Sequence, residues 1–390
     1  MKQSQLKTKK IGIDARFFGS KDKGFGRYTE QLIKKLEKLD KNNHYFVFLR
    51  KERWNDYNPK NPNFKKILAD YKWYGIKEQI LLPLKIKKYK LDLMHFTHFN
   101  VPIFFHDKFI VTIHDLTLRH FPTHTRTLKN LIFYPIKNLV YKIVFKRAIK
   151  KSEKIIAISE YTKKDILKHY KINSDKIQVI YEGAPEISNS HIAYSKSQKK
   201  KYLLYVGNAY PHKNLERLIL AFDKLNQESG IKNQEYRLVL VGQEDHFYRK
   251  LKKFIHNSKL IVHNSILFPG FISDKDLDVV YQHATLYLFP SLSEGFGLPP
   301  LEAMAKNVPV VSSNATCLPE ILGNAADYFN PLDIDNIAKV IKKVLMDENL
   351  RKNLINKGLE QIKKYSWSKM ASKILNLYKN IYIKNSRTKN

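Results

Sequence analysis

Apolar and polar residues along the chain follow two alternating periods. Short, mostly apolar runs, such as 45–49, 109–114 and 202–206, predict buried strands. Between them lie stretches with apolar side chains at helical spacing, for example Tyr28, Leu32 and Leu36. Strands that alternate with helices predict parallel sheets joined by helical crossovers, so the pattern indicates an α/β protein.

The alternation occurs twice, which predicts two doubly wound domains. The predicted strands are 10–16, 45–49, 91–96, 109–114, 153–159, 176–181, 202–206, 237–242, 266–269, 284–289 and 308–312. Residues 186–200 contain Ser, Asn, Gln and Lys without any apolar period, and this predicts a linker. A length of 390 residues also favours two cores over one. We therefore predict a first domain at 1–185 and a second at 201–365.

Helix boundaries follow from capping residues and from apolar spacing. Helices are predicted at 27–39, 77–90, 126–151 and 274–283. Ser159, Ser273 and Asp333 each precede an amphipathic stretch, so each is predicted to be an N-cap that accepts a backbone N–H bond.

Composition restricts the function classes. The single cysteine, Cys317, excludes an internal disulfide framework and a cysteine-based zinc site. The lysine-rich N-terminus leads into a strand without an apolar signal core, which favours the cytoplasm. The formal charge of +34 allows a nucleic-acid, anionic-membrane or polyanionic-substrate partner, but lysine excess from compositional drift explains it equally well.

Two basic segments of the first half narrow the choice of surface partner. Residues 116–152 contain no Asp or Glu and nine Lys and Arg, and residues 77–90 have the same basic, apolar character. Such segments suit the surface of an anionic membrane. A core-facing helix with a solvated lysine face remains an equal alternative for both.

The richest candidate for chemistry is the loop around Glu294 and Glu302. It follows a predicted buried strand, and Gly295 and Gly297 allow the backbone to turn tightly close to a ligand. Pro299 suits the first turn of the helix that follows. Free N–H groups and a positive dipole end at that helix start would suit an anion such as phosphate. A solvated strand–turn–helix connection is the alternative interpretation.

Other strand ends carry further candidates. The loop after the first strand contains Gly24, Gly26 and Arg27, but it lacks the third glycine of a dinucleotide fingerprint. His114 ends another strand, and Lys213 stands between a strand and a helix, where a cation can neutralise a phosphate. Each of these residues taken alone is also compatible with a structural role.

The Glu-(seven residues)-Glu pattern with Gly-Phe-Gly-Leu-Pro inside resembles the signature of retaining glycosyltransferases of family 4, which have the two-domain GT-B architecture. The resemblance covers nearly the whole chain and is strongest over 202–329. It implies two Rossmann-like parallel-sheet domains that face each other across a cleft, with the acceptor bound on the N-terminal side. The segment 366–390 resembles the closing helix that packs back onto the first domain in such proteins.

The resemblance also implies roles for particular residues. His114 would touch the transferred sugar, Lys213 would neutralise the diphosphate, and Glu294 would hold sugar hydroxyls. Glu302 would bind the ribose. The remaining residues that the resemblance places around the donor are Gly24, Gly26, Arg27, Asn208, Phe271, Ile272, Gly295, Phe296, Gly297 and Leu298. Asn208 stands where the family usually has Arg, so one contact to the diphosphate is either weaker or supplied elsewhere, with Arg27 as the candidate.

The expected reaction is transfer of a sugar from a nucleotide diphosphate sugar, with retention of configuration and same-face attack by the acceptor. No Asp-x-Asp loop is present to hold a divalent metal, and no cofactor is expected beyond the donor substrate. The sequence contexts around Gly26 and His114 resemble bacterial mannosyltransferases that use GDP-mannose. The expected acceptor is a glycan or lipid-linked saccharide in cell-envelope polysaccharide synthesis, and the expected location is the cytoplasm or the inner membrane face.

Other functions stay open at this point. A UDP-sugar could replace GDP-mannose, or a GT-B epimerase could convert a UDP-sugar without an acceptor. A non-catalytic protein could bind the sugar nucleotide without turnover. A nucleic-acid-binding protein would explain the charge, but it should show a compact basic motif with stacking aromatics, so no nucleic acid is expected.

Overall fold

A computed structural model describes residues 8–19, 23–122, 128–185, 201–227 and 236–387. The chain forms two compact units. The first unit comprises Met1–Leu116, His124–Gly183 and Trp367–Asn390, and the second comprises Thr117–Thr123 and Ala184–Ser366. The predicted linker, 186–200, lies outside the described residues.

The first unit is built on a seven-stranded sheet in which every neighbouring pair is parallel. Its strands are β1 (Lys10–Asp14), β2 (His44–Leu49), β3 (Phe64–Leu68), β4 (Leu93–Phe96), β5 (Phe109–Ile113), β6 (Lys154–Ala157) and β7 (Ile177–Val179). The order β3-β2-β1-β4-β5-β6-β7 reverses direction between β1 and β4. All five residues of β5 are buried, as expected for a central parallel strand covered on both faces.

The second unit repeats this plan with six parallel strands. Its strands are β8 (Lys201–Val206), β9 (Tyr236–Val241), β10 (Ile266–Gly270), β11 (Leu286–Phe289), β12 (Val310–Ser313) and β13 (Ala326–Phe329). The order β10-β9-β8-β11-β12-β13 reverses between β8 and β11.

Helices connect the strands in both units. They are α1 (Lys23–Leu39), α2 (Ile76–Lys87), α3 (Thr117–His120), α4 (Leu128–Lys151), α5 (Glu160–His169), α6 (Leu215–Gln227), α7 (His246–Asn257), α8 (Asp274–Gln282), α9 (Leu298–Ala305), α10 (Leu318–Leu322), α11 (Ile334–Met346), α12 (Glu348–Ile362) and α13 (Trp367–Arg387). None of the helices that the structure describes is long and apolar enough to cross a membrane.

The closing helix α13 belongs to the first unit and packs against α1. A buried hydrogen-bond chain ties it to the sheet. Tyr378 and His95 are joined at 2.7 Å through the ring Nδ1, and the His95 Nε2 lies 2.9 Å from the Thr112 hydroxyl. Tyr28 from α1 reaches the same hydroxyl at 3.0 Å. One polar side chain from each of α1, α13, β4 and β5 therefore takes part in the same buried hydrogen-bond network.

Two strands and one helix start differ from the sequence predictions. The edge strands β3 and β13 were not predicted, because edge strands are covered less completely and their apolar pattern is weak. Helix α1 begins at Lys23, whereas the prediction placed its start at residue 27, so Gly24 and Gly26 lie in the first helical turn. Glycine is a poor helix former, and this misled the prediction.

The predicted class of two Rossmann-like, doubly wound parallel-sheet domains is confirmed. The three predicted N-caps are also confirmed, since Ser159, Ser273 and Asp333 accept backbone N–H bonds from Thr162, Asp276 and Asn336. Ligands of doubly wound sheets bind outside the carboxyl ends of the strands, where the strand order reverses. The candidate ligand sites are therefore at the carboxyl ends of β8 and β11 in one unit, and of β1, β4 and β5 in the other.

Candidate functional site

Two loops meet at the point where the strand order of the second unit reverses. One follows β8 and contains Lys213, and the other follows β11 and contains Glu294. The Lys213 Nζ lies 2.5 Å from the Glu294 Oε1, and each side chain is 14% exposed. An ammonium carries three N–H donors, so Lys213 can hold Glu294 and still donate to a ligand. The geometry provides a half-buried positive group with an attached carboxylate.

Asn214 fixes the positions of these two loops. It adopts the left-handed conformation with φ of 60°, which asparagine tolerates better than most residues. Its Nδ2 donates to the carbonyl oxygens of Pro290 at 3.1 Å and Pro331 at 2.7 Å. The Leu292 N–H also donates to the His212 carbonyl at 2.7 Å. The backbone on both sides of the Lys213–Glu294 pair is therefore clamped within the second unit.

Thr316 supports the backbone of Glu294 directly. Its hydroxyl accepts the Glu294 N–H at 3.2 Å. Thr316 has φ of 55°, a conformation that is strained for a β-branched residue and is kept only where surrounding contacts enforce it. We interpret the strain as the energetic cost of placing this hydroxyl where it accepts the Glu294 N–H.

Changes at Thr316 should separate activity from stability. Thr316→Ala removes the acceptor for the Glu294 N–H, and we expect turnover to fall about tenfold, whereas Thr316→Ser should retain turnover. Thr316→Gly relieves the backbone strain, which is worth roughly 1–3 kcal/mol, while removing the same acceptor. It should therefore unfold no more readily than the wild type and still turn over slowly. Equal kcat values for the Ala and Ser variants would contradict this role.

The second glutamate of the loop motif, Glu302, lies on α9 and is bound by a tyrosine of α8. The Tyr281 hydroxyl donates to the Glu302 Oε2 at 3.0 Å. Gly297 starts α9 as its N-cap with φ of 99°, a conformation for which glycine is favoured. A Cβ at this position would lie 3.0 Å from Leu318. The tight turn before α9 thus sets the separation of the two glutamates.

Two tyrosine hydroxyls hold the loop after β8. Tyr205 donates to the Asn208 carbonyl at 2.7 Å, and Tyr248 donates to the Gly207 carbonyl at 2.9 Å. Burial first, and then the nearby charges of Tyr248 and Glu294, raise the pKa of Tyr205 well above its usual range. Tyr205 therefore stays a neutral donor. The Asn208 side-chain oxygen accepts the Tyr210 N–H at 3.3 Å, which leaves its amide N–H groups as the donors to a ligand.

The other residues predicted to contact the sugar donor differ in how exposed their side chains are. Phe271 follows β10 and is 72% exposed, and Ile272 beside it is partly buried. Gly295 and Leu298 are buried in the glutamate loop. The Phe296 side chain is also buried, and its ring packs edge-on against Tyr365 at 5.3 Å. The Phe296 ring therefore belongs to the core, and only the backbone of this residue is left to contact the sugar donor.

In the first unit, His114 lies directly after β5 and is bound at both ring nitrogens. Its Nδ1 lies 3.1 Å from the Glu182 Oε1, and its Nε2 lies 2.9 Å from the Thr97 carbonyl oxygen. Burial alone would lower the pKa of His114, but the hydrogen bond and charge of Glu182 outweigh it and raise the pKa. Because both partners are acceptors, the ring is best satisfied as a doubly protonated imidazolium. The carboxylate that orients this ring is Glu182.

The His114–Glu182 pair should make stability depend on pH with a definite sign. A raised folded-state pKa gives stability that is complete below the unfolded pKa of about 6.5 and is lost as pH rises through the folded pKa. We therefore expect Glu182→Gln to destabilise the protein most near pH 6 and less at pH 9, as measured by urea unfolding. In a His114→Gln background the same change should lose this pH dependence. A pH-independent effect in the His114 protein would contradict the pair.

The predicted glycine loop of the first unit becomes the start of α1. Gly24 is exposed, Gly26 is buried, and Arg27 is partly buried. Between the two glycines, the ring of Phe25 lies 5.2 Å from the His98 ring and 6.0 Å from the His114 ring. This segment therefore covers the histidines at the ends of β4 and β5.

Sequence reasoning did not single out Glu182, Thr316 or Tyr281. Glu182 is 68 residues from His114, and the only available signal was its position just beyond the last strand of the first sheet. Thr316 follows β12 in the same way. A rule that selects every polar residue just beyond the carboxyl end of a predicted parallel strand would have identified both of them. Tyr281 lies within a helix, where spacing gives no such signal.

Comparisons with known proteins bear on the family and the fold, and they confirm the predicted GT-B fold class. Residues 23–185 match the family model described as Glycosyltransferase Family 4, and residues 186–361 match the model described as Glycosyl transferases group 1. The two matches run without a gap from residue 23 to residue 361.

Relatives and solved structures extend the comparison. The chain is 28% identical over 272 residues to the O-antigen chain mannosyltransferase RfbU of Salmonella typhimurium, covering 70% of each chain. It is 27% identical to the O-antigen chain mannosyltransferase B of Escherichia coli, covering 75% of this chain and 76% of that one. Sucrose-phosphate synthase of Thermosynechococcus elongatus matches with a TM-score of 0.76 and 20% identity, over 96% of this chain and 99% of that chain. HepE of Anabaena, solved with UDP and glucose, matches with a TM-score of 0.70 and 18% identity, over 95% of this chain and 100% of that chain.

Proposed function

Because the chain belongs to the family-4 glycosyltransferases, we propose that it transfers mannose from GDP-mannose to a glycan or lipid-linked saccharide in cell-envelope polysaccharide synthesis, with retention of configuration. The observation that carries the proposal is the half-buried Lys213–Glu294 pair at the reversal point of the second sheet. The mannosyltransferase names of the relatives at 27–28% identity support the choice of sugar. The donor enters as a substrate, and no resident cofactor is proposed.

The proposed chemistry places charge stabilisation ahead of acid–base catalysis. Departure of the diphosphate leaves an oxocarbenium-like sugar, so the reaction requires neutralisation of the leaving group and accurate positioning. Lys213 would neutralise the departing phosphate, and the backbone N–H groups of 295–298 would assist. Glu294 would hold sugar hydroxyls while it positions Lys213. Glu302, already an acceptor for Tyr281, would bind the ribose hydroxyls.

The remaining assignments rest on the family resemblance and on the positions of the residues. Asn208 would donate to the diphosphate through its amide. Phe271 and Ile272 would lie against the nucleotide base. His114 stays the predicted ligand of the transferred sugar, and Gly24, Gly26 and Arg27 stay predicted donor contacts of the first unit.

A transfer assay tests the donor and the stereochemistry together. The full chain is incubated with GDP-α-mannose or UDP-α-glucose and a saccharide acceptor, and the anomeric proton of the product is followed by NMR. Product from GDP-mannose in the α configuration supports the proposal. A β product would overturn retention, and transfer from UDP-glucose alone would overturn the donor. Conversion of a UDP-sugar without an acceptor would instead favour an epimerase.

We also propose that the first unit binds an anionic membrane surface on the cytoplasmic side, where a lipid-linked acceptor would be presented. Helix α2 exposes Ile76, Ile80 and Leu84, and α4 exposes Leu139 and Ile143. Isolated exposed apolar residues are ordinary, but a continuous apolar patch usually marks an interaction site.

The loop 101–108 connects the two helices into one surface. The Ile103 N–H donates to the Gln79 side chain of α2 at 2.8 Å, and Arg147 of α4 donates to the Phe105 carbonyl at 3.1 Å. Between these contacts the Phe104 side chain is 53% exposed. Helix α4 contains no acidic residue, and the only one in α2, Glu78, is buried. Exposed apolar groups surrounded by lysines suit an anionic lipid surface.

Vesicle sedimentation tests this surface. Wild-type protein should sediment with phosphatidylglycerol vesicles and much less with phosphatidylcholine vesicles, and added salt should weaken the binding. The double change Ile80→Ser and Leu84→Ser should reduce binding about tenfold or more, since it removes two exposed apolar groups. The matched control is Ile261→Ser with Met346→Ser, which alters exposed apolar residues of the second unit. Equal losses for both double variants would contradict the proposal.

A further inference from the structure

Arg50 lies just beyond β2 and lines an open pocket of about 420 Å³ at the carboxyl edge of the first sheet. The other residues that line it are Lys51, Glu52, Asp70 and Lys72. Asp70 and Lys72 follow β3, so the pocket lies over the ends of two neighbouring parallel strands. Its volume is within the range of small-ligand sites, and it lies at the carboxyl ends of the strands, to one side of the β1–β4 reversal point.

The Arg50 side chain is rigidly held in this pocket. Its guanidinium lies 4.6 Å from the centre of the Trp73 ring, and the Trp73 ring also stacks on Phe17 at 4.3 Å. The Arg50 Nη2 donates to the Glu52 Oε1 at 2.9 Å. Arg50 is only 7% exposed, although it belongs to a polar pocket wall. Such stacking orients the planar donor fork before any ligand binds.

Polar atoms around this stack lack partners. Among the described residues, the Arg50 Nε, the Trp73 Nε1 and the Asn100 Oδ1 are buried and make no hydrogen bond. The Asp70 Oδ1 lies 3.8 Å from the Arg50 Nε, beyond hydrogen-bond range. Native proteins pair nearly all buried polar atoms, so the unpaired Nε of Arg50 in the pocket wall, with the unpaired Nε1 of the Trp73 ring that it contacts, indicates a polar partner that the chain does not supply.

Asn100 links to the same region through Glu78. Its Nδ2 donates to the Glu78 Oε1 at 2.6 Å, and the Tyr74 N–H, next to Trp73, donates to the Glu78 Oε2 at 2.6 Å. Asn100 is therefore linked through Glu78 to the segment that carries Trp73, although Asn100 itself does not line the pocket.

The pocket wall combines donors and acceptors. Arg50, Lys51 and Lys72 donate hydrogen bonds, and the carboxylates of Glu52 and Asp70 accept them. A simple anion would use the three cations and be repelled by the two carboxylates. A saccharide hydroxyl both donates and accepts, so a ring with several hydroxyls can use the whole wall.

We infer that this pocket is a saccharide subsite, which binds a sugar residue of the acceptor glycan away from the residue that receives the new sugar. The inference rests on the proposed glycosyltransferase function and specifies where the first unit holds its acceptor. Arg50 would donate to ring hydroxyls, and Asp70 and Lys72 would bind hydroxyls at the open side of the pocket.

Direct binding of sugars tests the subsite without catalysis. The full chain is titrated with methyl α-mannoside, methyl α-glucoside, methyl α-galactoside and mannobiose, and with inorganic phosphate as the anion probe. Intrinsic tryptophan fluorescence and isothermal calorimetry are the readouts, since Trp73 contacts Arg50. At least one saccharide should bind. Asp70→Asn and Lys72→Ala, which alter exposed side chains, should each weaken that binding about tenfold.

The matched control is Lys65→Ala, an exposed lysine of β3 that does not line the pocket, and it should bind as the wild type does. Binding of phosphate alone, no binding of any saccharide, or equal affinities in the Asp70, Lys72 and Lys65 variants would overturn the subsite. The proposed function fails separately: a chain that binds GDP-mannose but no saccharide loses only the subsite. A chain that binds saccharides but no nucleotide sugar loses the donor proposal.

Discussion

Lys213→Ala and Glu294→Gln should each lower kcat by about 100-fold or more, because each removes a group that we propose to act on the departing diphosphate or on the sugar. Lys213→Ala removes the positive charge at the reversal point of the second sheet and leaves Glu294 without its 2.5 Å partner. Glu294→Gln keeps the size of the side chain but loses the charge that holds Lys213. Steady-state kinetics with the donor and acceptor of the transfer assay measure both changes.

The double variant should be less impaired than the product of the two single effects, since the residues act as a unit. The matched control is the pair Lys224–Asp335 of the same unit, which has the same 2.5 Å separation but side chains 42% and 72% exposed. Lys224→Ala should leave kcat unchanged. If Lys213→Ala and Lys224→Ala gave similar rates, while both stayed folded, Lys213 would have no special role in turnover.

Arg16→Met should cost about 3–5 kcal/mol of unfolding free energy, since it leaves buried carboxylates without their cation. Arg16 follows β1, is completely buried, and binds Asp14 at 2.7 Å and Glu78 at 2.6 Å. Burial raises the pKa of Glu78 even with Arg16 opposing it. Without Arg16, the carboxylates would be forced toward protonation, so the loss should be smaller at pH 5 than at pH 8. Urea unfolding at both pH values measures the effect.

Two further variants separate this charge effect from lost packing. Arg16→Met combined with Glu78→Gln removes one of the unpaired charges and should regain part of the stability. Lys352→Ala breaks a surface-exposed pair with Glu348 and should leave the unfolding free energy almost unchanged. A loss for Arg16→Met as small as that for Lys352→Ala would show that the buried pairs contribute little.

The sequence predicted most strands and helices because their apolar patterns are strong and their caps are local. Ser273 illustrates this: its role as N-cap depends only on residues up to Asp276. The edge strands β3 and β13 were missed because a weakly covered strand shows little apolar contrast. The low helix propensity of glycine led to a predicted start of α1 that was too late. The contacts of Phe25 with the rings of His98 and His114 involve residues far along the chain, so the local pattern does not reveal them.

The candidate site was predictable only in part, for the same reason. Lys213 and Glu294 were each singled out by local context, but their pairing across 81 residues depends on the order of the strands in the sheet. Glu182 became visible as the partner of His114 only once β5 and β7 were placed in one sheet. Residue type and strand position predict candidate groups, whereas partners and protonation states require the fold.

The central claim is that the second unit binds a nucleotide diphosphate sugar through Lys213. A thermal-shift panel of GDP, UDP, ADP and their sugars, applied to the wild type and to Lys213→Ala, tests it most directly. We expect GDP and GDP-mannose to raise the Tm of the wild type in a concentration-dependent manner, and to raise that of Lys213→Ala much less. If no nucleotide in the panel raised the Tm of the wild type, the claim would be contradicted.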